Sequence, residues 1–301
     1  MVPYRARHWP SIVLQMRGSV LPGLALRLLV VFGIAVGAST LHAATGFSIP
    51  SVAHTMVGVA LGLLLVFRTN ASFDRWWEGR KLLGLAVNRC RELVRQTVTL
   101  IDGDEPDLLA VRRRVQRHVA AFFFLMKQHL RGDRDLSELH TLLDEEELSR
   151  LEAIEHRPMA VLLWISTELV GLVRGGHLTD LRLTLLEGQI TTLCDVLGGC
   201  ERIVKTPVPF AYAQHIKTFL VLFCFTAPFA MVESMEWYSP VASTLLAFAL
   251  FGIDEIGVEI EDPFGRDPND LPVDAIGDGI AAVTLELATR SMPPVAKPRA
   301  S

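Results

Sequence analysis

Between Arg27 and Arg68 the chain has no lysine, arginine, aspartate or glutamate. A charge-free interval of that length excludes an ordinary surface segment. It suits two membrane spans of roughly 20 residues each, broken near Gly46 to Pro50. Cysteine is also scarce: Cys90, Cys194 and Cys200 fall in polar helical stretches and Cys224 in an apolar one. No pair has zinc-site spacing, and none is expected to form a disulfide in a reducing compartment. There is no HExxH pattern, no alternating strand pattern, no internal repeat and no basic block. These absences argue against a zinc hydrolase, a β-fold, a repeat array and a nucleic-acid partner.

What the chain does have is segregation. Half of its 301 residues are hydrophobic, yet 21% are charged; the mean hydropathy is +0.34. Apolar and polar matter must therefore occupy different stretches. A second apolar region, Thr218 to Ile253, is interrupted by Glu233, Glu236 and Trp237. It reads as two further spans, about Phe219 to Val232 and Tyr238 to Ile253. The expected outer turns, Thr45 to Pro50 and Glu233 to Trp237, carry none of the 29 Lys and Arg residues. Arg5, Arg7, Arg17 and Arg27 precede the first span without one acid. The positive-inside rule places both termini and the long middle segment in the cytoplasm. The first residues, Tyr4 to Val20 with Trp9, read as a segment lying on the membrane surface rather than a cleaved signal.

The middle region shows three- and four-residue apolar spacing over Lys81 to Ile101, Asp107 to Leu130 and Asp180 to Ile203. An acidic stretch, Leu136 to His156, starts near Ser137. Met159 to Val173 reads as a buried helix despite Glu168, and Asp102-Gly103-Asp104, Gly132-Asp133 and Arg174-Gly175-Gly176 mark turns. The class is all-α: four transmembrane helices and a large cytoplasmic helical domain. The expected divisions are an interfacial segment over 1–27, a first hairpin over 28–67, a cytoplasmic domain over 68–217, a second hairpin over 218–253, and a cytoplasmic helix and tail over 254–301.

The most informative stretch is Val57 to Arg80, where an apolar helix passes into a polar, aromatic one with no proline or loop signal. Val59, Leu63 and Phe67 recur every four residues; at about 100° per residue they share one helix face. Gly58 and Gly62 lie on a neighbouring flank, where close helix contact requires small residues. Such a helix serves either as an ordinary span or as a pore helix in a ring. His42 and His54 flank the first outer turn and read as hydrogen-bonded bystanders. Asp254, Glu255, Glu259, Glu261 and Asp262 could hold a cation, but read rather as the solvated, salt-bridged face of a helix leaving the membrane.

Five segments together resemble the bestrophins, particularly the bacterial branch. They are Arg17-Gly18-Ser19-Val20, then Phe67 leading to Arg75-Trp76-Trp77, then Gly175-Gly176-His177-Leu178-Thr179-Asp180, Pro207-Val208-Pro209-Phe210 with Ala211-Tyr212-Ala213-Gln214, and Asp262-Pro263-Phe264-Gly265. They occur in the family's order to about Leu287. The resemblance implies a homopentameric channel in the bacterial inner membrane, with a single axial pore, the lipid bilayer and permeating inorganic ions as partners, and no cofactor. It implies a neck at Val59, Leu63 and Phe67 and a cytoplasmic aperture at Leu178. Chloride or a monovalent cation are both compatible with it. The calcium clasp of animal relatives is expected to be lost: Arg266-Asp267-Pro268-Asn269-Asp270 leaves only Asp267 and Asp270 as weak ligands, and calcium favours several carboxylates. A secondary transporter and a non-conducting membrane scaffold are the competing classes; charges deep in a span or broken repeated helices would favour the transporter.

Overall fold

The computed structural model describes residues 8–103 and 105–289. Ten α-helices run through them: α1 (Trp9–Val13), α2 (Leu21–Thr45), α3 (Ser51–Leu100), α4 (Pro106–Arg131), α5 (Glu145–Glu152), α6 (Arg157–Arg174), α7 (Asp180–Lys205), α8 (Phe210–Met235), α9 (Ser239–Glu259) and α10 (Val273–Thr289). No strand occurs among the described residues. Arg5 and Arg7 of the expected surface segment lie outside them, as does the tail after Thr289.

Two compact units divide the chain: 1–78 with 206–271, and 79–205 with 272–301. In the first, α2 packs on α8 and α9, and α8 packs on α9. Leu24 and Val31 of α2, Leu61 and Leu65 of α3, Leu220 and Phe223 of α8 and Phe251 of α9 form its core. Helix α2 stops at Gly46, which caps it in a left-handed conformation at φ 72°, a region glycine enters without a Cβ clash. Ile49 then donates its amide to the Phe229 carbonyl at 2.9 Å. Pro228 lies inside α8 and cannot donate; its carbonyl accepts from the Ser239 hydroxyl at 3.3 Å.

Among the described residues, three stretches are long and apolar enough to cross a membrane: Leu21–Thr45, Ser51–Leu100 and Phe210–Glu259. The last is divided into α8 and α9 by a 3-10 turn, Glu236–Tyr238, where Glu236 takes φ 49°. Helix α8 begins at Phe210, nine residues before the expected Phe219, because Pro209 sets its start.

In the second unit α4 is the central helix, packed on α6, α7 and α10. Val119 to Met126 is buried throughout, as expected of a helix covered on all sides. Asp274 at the start of α10 meets Lys127 and Arg131 of α4, each at 3.0 Å. Those cations draw its carboxyl down to about 2. The acidic stretch 136–156 is not one helix. It is a 3-10 turn at Ser137–Leu139 followed by α5, which starts in a capping box between Asp144 and Glu147. That reciprocal pair satisfies two helix-end amides and so fixes a new start inside the stretch.

Candidate functional site

Helix α3 has two opposed faces. Leu61, Leu65, Arg68 and Ser72 are buried, and they follow one another at three- and four-residue steps. Across from them, Val59 is 71% exposed, Leu63 56% and Phe67 57%, continuing a stripe through Val52 and Met56. Only 17% of the apolar part of α3 is buried, against 28% for α2 and 33% for the α8–α9 stretch. Of the three apolar stretches, α3 has the largest share of its surface to be covered by something other than its own chain.

The two glycines behave differently. A Cβ on Gly58 would meet the Phe223 ring at 2.9 Å, whereas a Cβ on Gly62 would have nothing within 4 Å. Phe223 also stacks on His54, with ring centroids 4.1 Å apart. Gly58 therefore makes room for α8 of its own chain, and Gly62 lies open on the flank. His54 and His42 are hydrogen-bonded, to the Phe223 and Phe47 carbonyls respectively.

Below the apolar stretch, Arg68 is buried against Asp254 of α9, with Glu261 at 4.0 Å. Arg27 pairs with Glu255 at 2.7 Å. The acids after Ile253 are salt-bridged, as expected, but Asp254 is buried rather than solvated. Several hold cations from α2 and α3, because a buried guanidinium requires an opposite charge.

Four of the five resemblance segments meet at this end. Arg75 donates to the Glu261 carbonyl at 3.1 Å and to the Thr206 carbonyl at 2.5 Å. The Trp76 indole donates to the Asn269 carbonyl at 3.4 Å, and Asn269 donates to the Gly18 carbonyl and the Glu259 carboxylate, each at 3.0 Å. Val208 gives its amide to Glu261 Oε1 at 3.2 Å. A junction joining residues up to 251 positions apart was invisible to spacing alone.

Asp270 is buried, with Oδ2 accepting the Asp267 amide at 2.6 Å and Oδ1 without a hydrogen bond. Burial pushes its carboxyl up to about 6, against the pull of that amide, and Asp267, Asp262 and Glu259 add repulsion.

The fifth segment lies in the second unit. Helix α6 ends in a paired turn: His177 donates its amide to the Leu172 carbonyl at 2.9 Å and Gly176 to Val173 at 3.0 Å. Gly176 sits at φ 77°, the left-handed position this cap requires. Thr179 opens α7, its hydroxyl accepting the Arg182 amide at 3.4 Å. The turn is held from both sides rather than loose. Leu178, expected at an aperture, is 3% exposed, while Leu181 one turn on is 75% exposed. The residue before a helix N-cap commonly packs inward, as Leu178 does before Thr179.

Fold and sequence together define an all-helical membrane protein with a charge-lined junction beneath its apolar helices. A family described as Bacterial/Fungal Bestrophin protein matches residues 1–286, and the chain belongs to that family. It is 39% identical to a voltage-dependent anion channel-forming protein of Synechocystis sp. PCC 6803, over 90% of this chain and 88% of the relative. A protein of the same description from Escherichia coli K12 is 31% identical over 95% and 94%. The crystal structure of a bacterial bestrophin homolog from Klebsiella pneumoniae superposes with a TM-score of 0.83 at 30% identity, covering 89% of this chain and all of that one.

Proposed function

We propose that this chain is a bestrophin-type anion channel that conducts through a ring of its own copies. The observation that carries the proposal is the uncharged exposed face of α3, with Val59, Leu63 and Phe67 more than half exposed inside a stretch that is only 17% buried. Packing α3 of several copies around one axis covers that surface. The relatives' description as anion channel-forming proteins supplies the sign of the ion.

In this reading α2, the apolar part of α3, α8 and α9 are four spans, five copies surround the axis, and Gly62 lies where neighbouring α3 helices approach. Both termini face the cytoplasm of the bacterial inner membrane, together with 68–217 and the segment after 253. The neck carries no ligand for an ion, so it gates by shedding water rather than by binding. An ion crossing a dry ring loses hydration without compensation; width and nearby charge set the selectivity. The cytoplasmic aperture is assigned to Leu181, which directly follows the 175–180 segment and is 75% exposed.

Purified protein in planar bilayers tests this. Under a tenfold KCl gradient, unitary steps should reverse near the chloride potential, about 59 mV from zero. Reversal at the potassium potential would reject the anion assignment, and folded protein without current would reject the channel.

A further inference from the structure

Outside the proposed conduction path, three side chains from distant parts of the second unit converge. His129 lies in the last turn of α4, His156 at the N-cap of α6, and Glu201 near the end of α7. The two Nε2 atoms point at the same carboxylate oxygen: Glu201 Oε1 is 2.6 Å from His129 and 3.0 Å from His156. The imidazoles stack with centroids 4.5 Å apart. All three donor atoms lie within 4.8 Å of one another, and all three residues are partly buried.

We infer that His129, His156 and Glu201 form a binding site for a divalent transition-metal ion, zinc foremost. The donor set is two imidazoles and one carboxylate, which suits zinc and not the hard, oxygen-seeking calcium or magnesium. Ligands about 2.0–2.2 Å from a tetrahedral ion stand roughly 3.3–3.5 Å from each other. Small rotations of three partly exposed side chains reach that spacing without moving a helix. Lys205 lies 3.4 Å from the other oxygen, Oε2, and leaves Oε1 facing the histidines. A fourth position remains for water, as in other three-ligand sites.

The second shell sets the affinity. A ligating histidine ordinarily donates its other ring nitrogen to a fixed acceptor. Here His156 Nδ1 is buried without a hydrogen bond, so binding should be about 10–100-fold weaker than with such an acceptor in place. A bound ion would staple the end of α4, the start of α6 and α7, three elements that sequence keeps 27 and 45 residues apart.

The test is a zinc titration of the purified full chain, stripped with chelator and followed by competition with a chromophoric indicator. One zinc per chain should bind, with calcium and magnesium failing to displace it. Glu201→Gln and His156→Gln should each weaken binding by at least the ~10–100-fold that loss of an outer-shell partner costs. His140→Gln, at an exposed site elsewhere, should change nothing. Should a variant not fold, anomalous diffraction at the zinc edge on wild-type crystals locates the ion directly. No zinc uptake, variants that bind like wild type, or an anomalous peak elsewhere would each overturn the site and leave a hydrogen-bonded trio only. None of these outcomes depends on channel current.

Discussion

Leu178 and Leu181 are three residues apart, and the structure assigns them opposite fates. Leu178 is 3% exposed, so truncating it to alanine removes nearly a whole buried leucine side chain from the second unit. Large-to-small substitutions of this kind cost about 2–5 kcal/mol, the spread reflecting how far the cavity collapses. The turn around Leu178 is pinned by the His177 and Gly176 amides on one side and by Arg182, which reaches the Leu100 carbonyl at 2.9 Å, on the other. Little collapse is therefore available, and the upper half of that range applies. At roughly 2–4 °C per kcal/mol for a unit of this size, Leu178→Ala should lower the midpoint of thermal unfolding by several degrees or more. Leu181 is 75% exposed on a helix, where leucine and alanine have similar propensity. Its truncation should stay within about 0.5 kcal/mol of wild type.

Function should divide the other way. Leu181→Ala should raise the permeability of large anions relative to chloride in reconstituted bilayers, and Leu178→Ala should leave that ratio unchanged in whatever fraction remains folded. Thermal unfolding in detergent and bi-ionic reversal potentials separate the two. A thermally normal Leu178→Ala variant with altered ion preference, beside a silent Leu181→Ala, would refute the reasoning from burial.

Replacing Val59, Leu63 and Phe67 together by alanine should widen and wet the neck and raise unitary current; unchanged conductance in a folded assembly would remove the neck assignment. Gly62→Leu should reduce assembly while membrane insertion persists, measured as the mass of the solubilised complex, whereas Gly58→Ala should destabilise the single chain by about 1–3 kcal/mol through the Phe223 ring, offset by up to about 1 kcal/mol of helix propensity. Asp270 supplies a pH signature: its carboxyl is higher in the fold, about 6, than the ordinary 3.8, so the folded state binds the proton more tightly. Its contribution is whole below pH 4 and is lost as pH rises through 6, a difference of roughly 3 kcal/mol. Asp270→Asn should be more stable than wild type at pH 7 and flatten the slope between pH 4 and 6; a variant with the wild-type slope would contradict this.

Much of the helical layout was legible because its causes are local. The absence of charge from Leu28 to Val66 announces α2 and the start of α3, and the lack of proline from Ser51 to Leu100 lets α3 continue far past its apolar part. The helix start inside the acidic stretch went unread, although its capping box, Asp144 with Glu147, carries the Asp-x-x-Glu spacing. The candidate sites depend on tertiary burial, which one sequence does not display. Nothing local distinguishes Gly58 from Gly62, and Leu178 is set apart from Leu181 only by its place before the Thr179 cap. Each pair is separated by a partner far along the chain or by the direction of one turn.

The junction beneath the apolar helices shows why short segments spread across the whole chain carried the family resemblance. Arg17-Gly18, Arg75-Trp76, Pro207-Val208 and the residues around Asp262-Pro263-Phe264-Gly265 have no common periodicity and sit on different elements. Yet Gly18, Asn269, Glu259 and Trp76 form one hydrogen-bonded chain, and Glu261 serves Val208 by its carboxylate and Arg75 by its carbonyl. A polar cluster of this kind costs free energy for every group left unpaired, so one substitution strands several partners. Gly265 shows the steric side of the same constraint: a Cβ there would meet Asp270 Oδ2 at 2.6 Å. Residues bound by such mutual requirements cannot drift singly. The exposed apolar residues of α3 answer only to size and polarity, which makes the junction the better marker of the fold and the α3 face, as the proposed neck, the better place to look for differences in conduction.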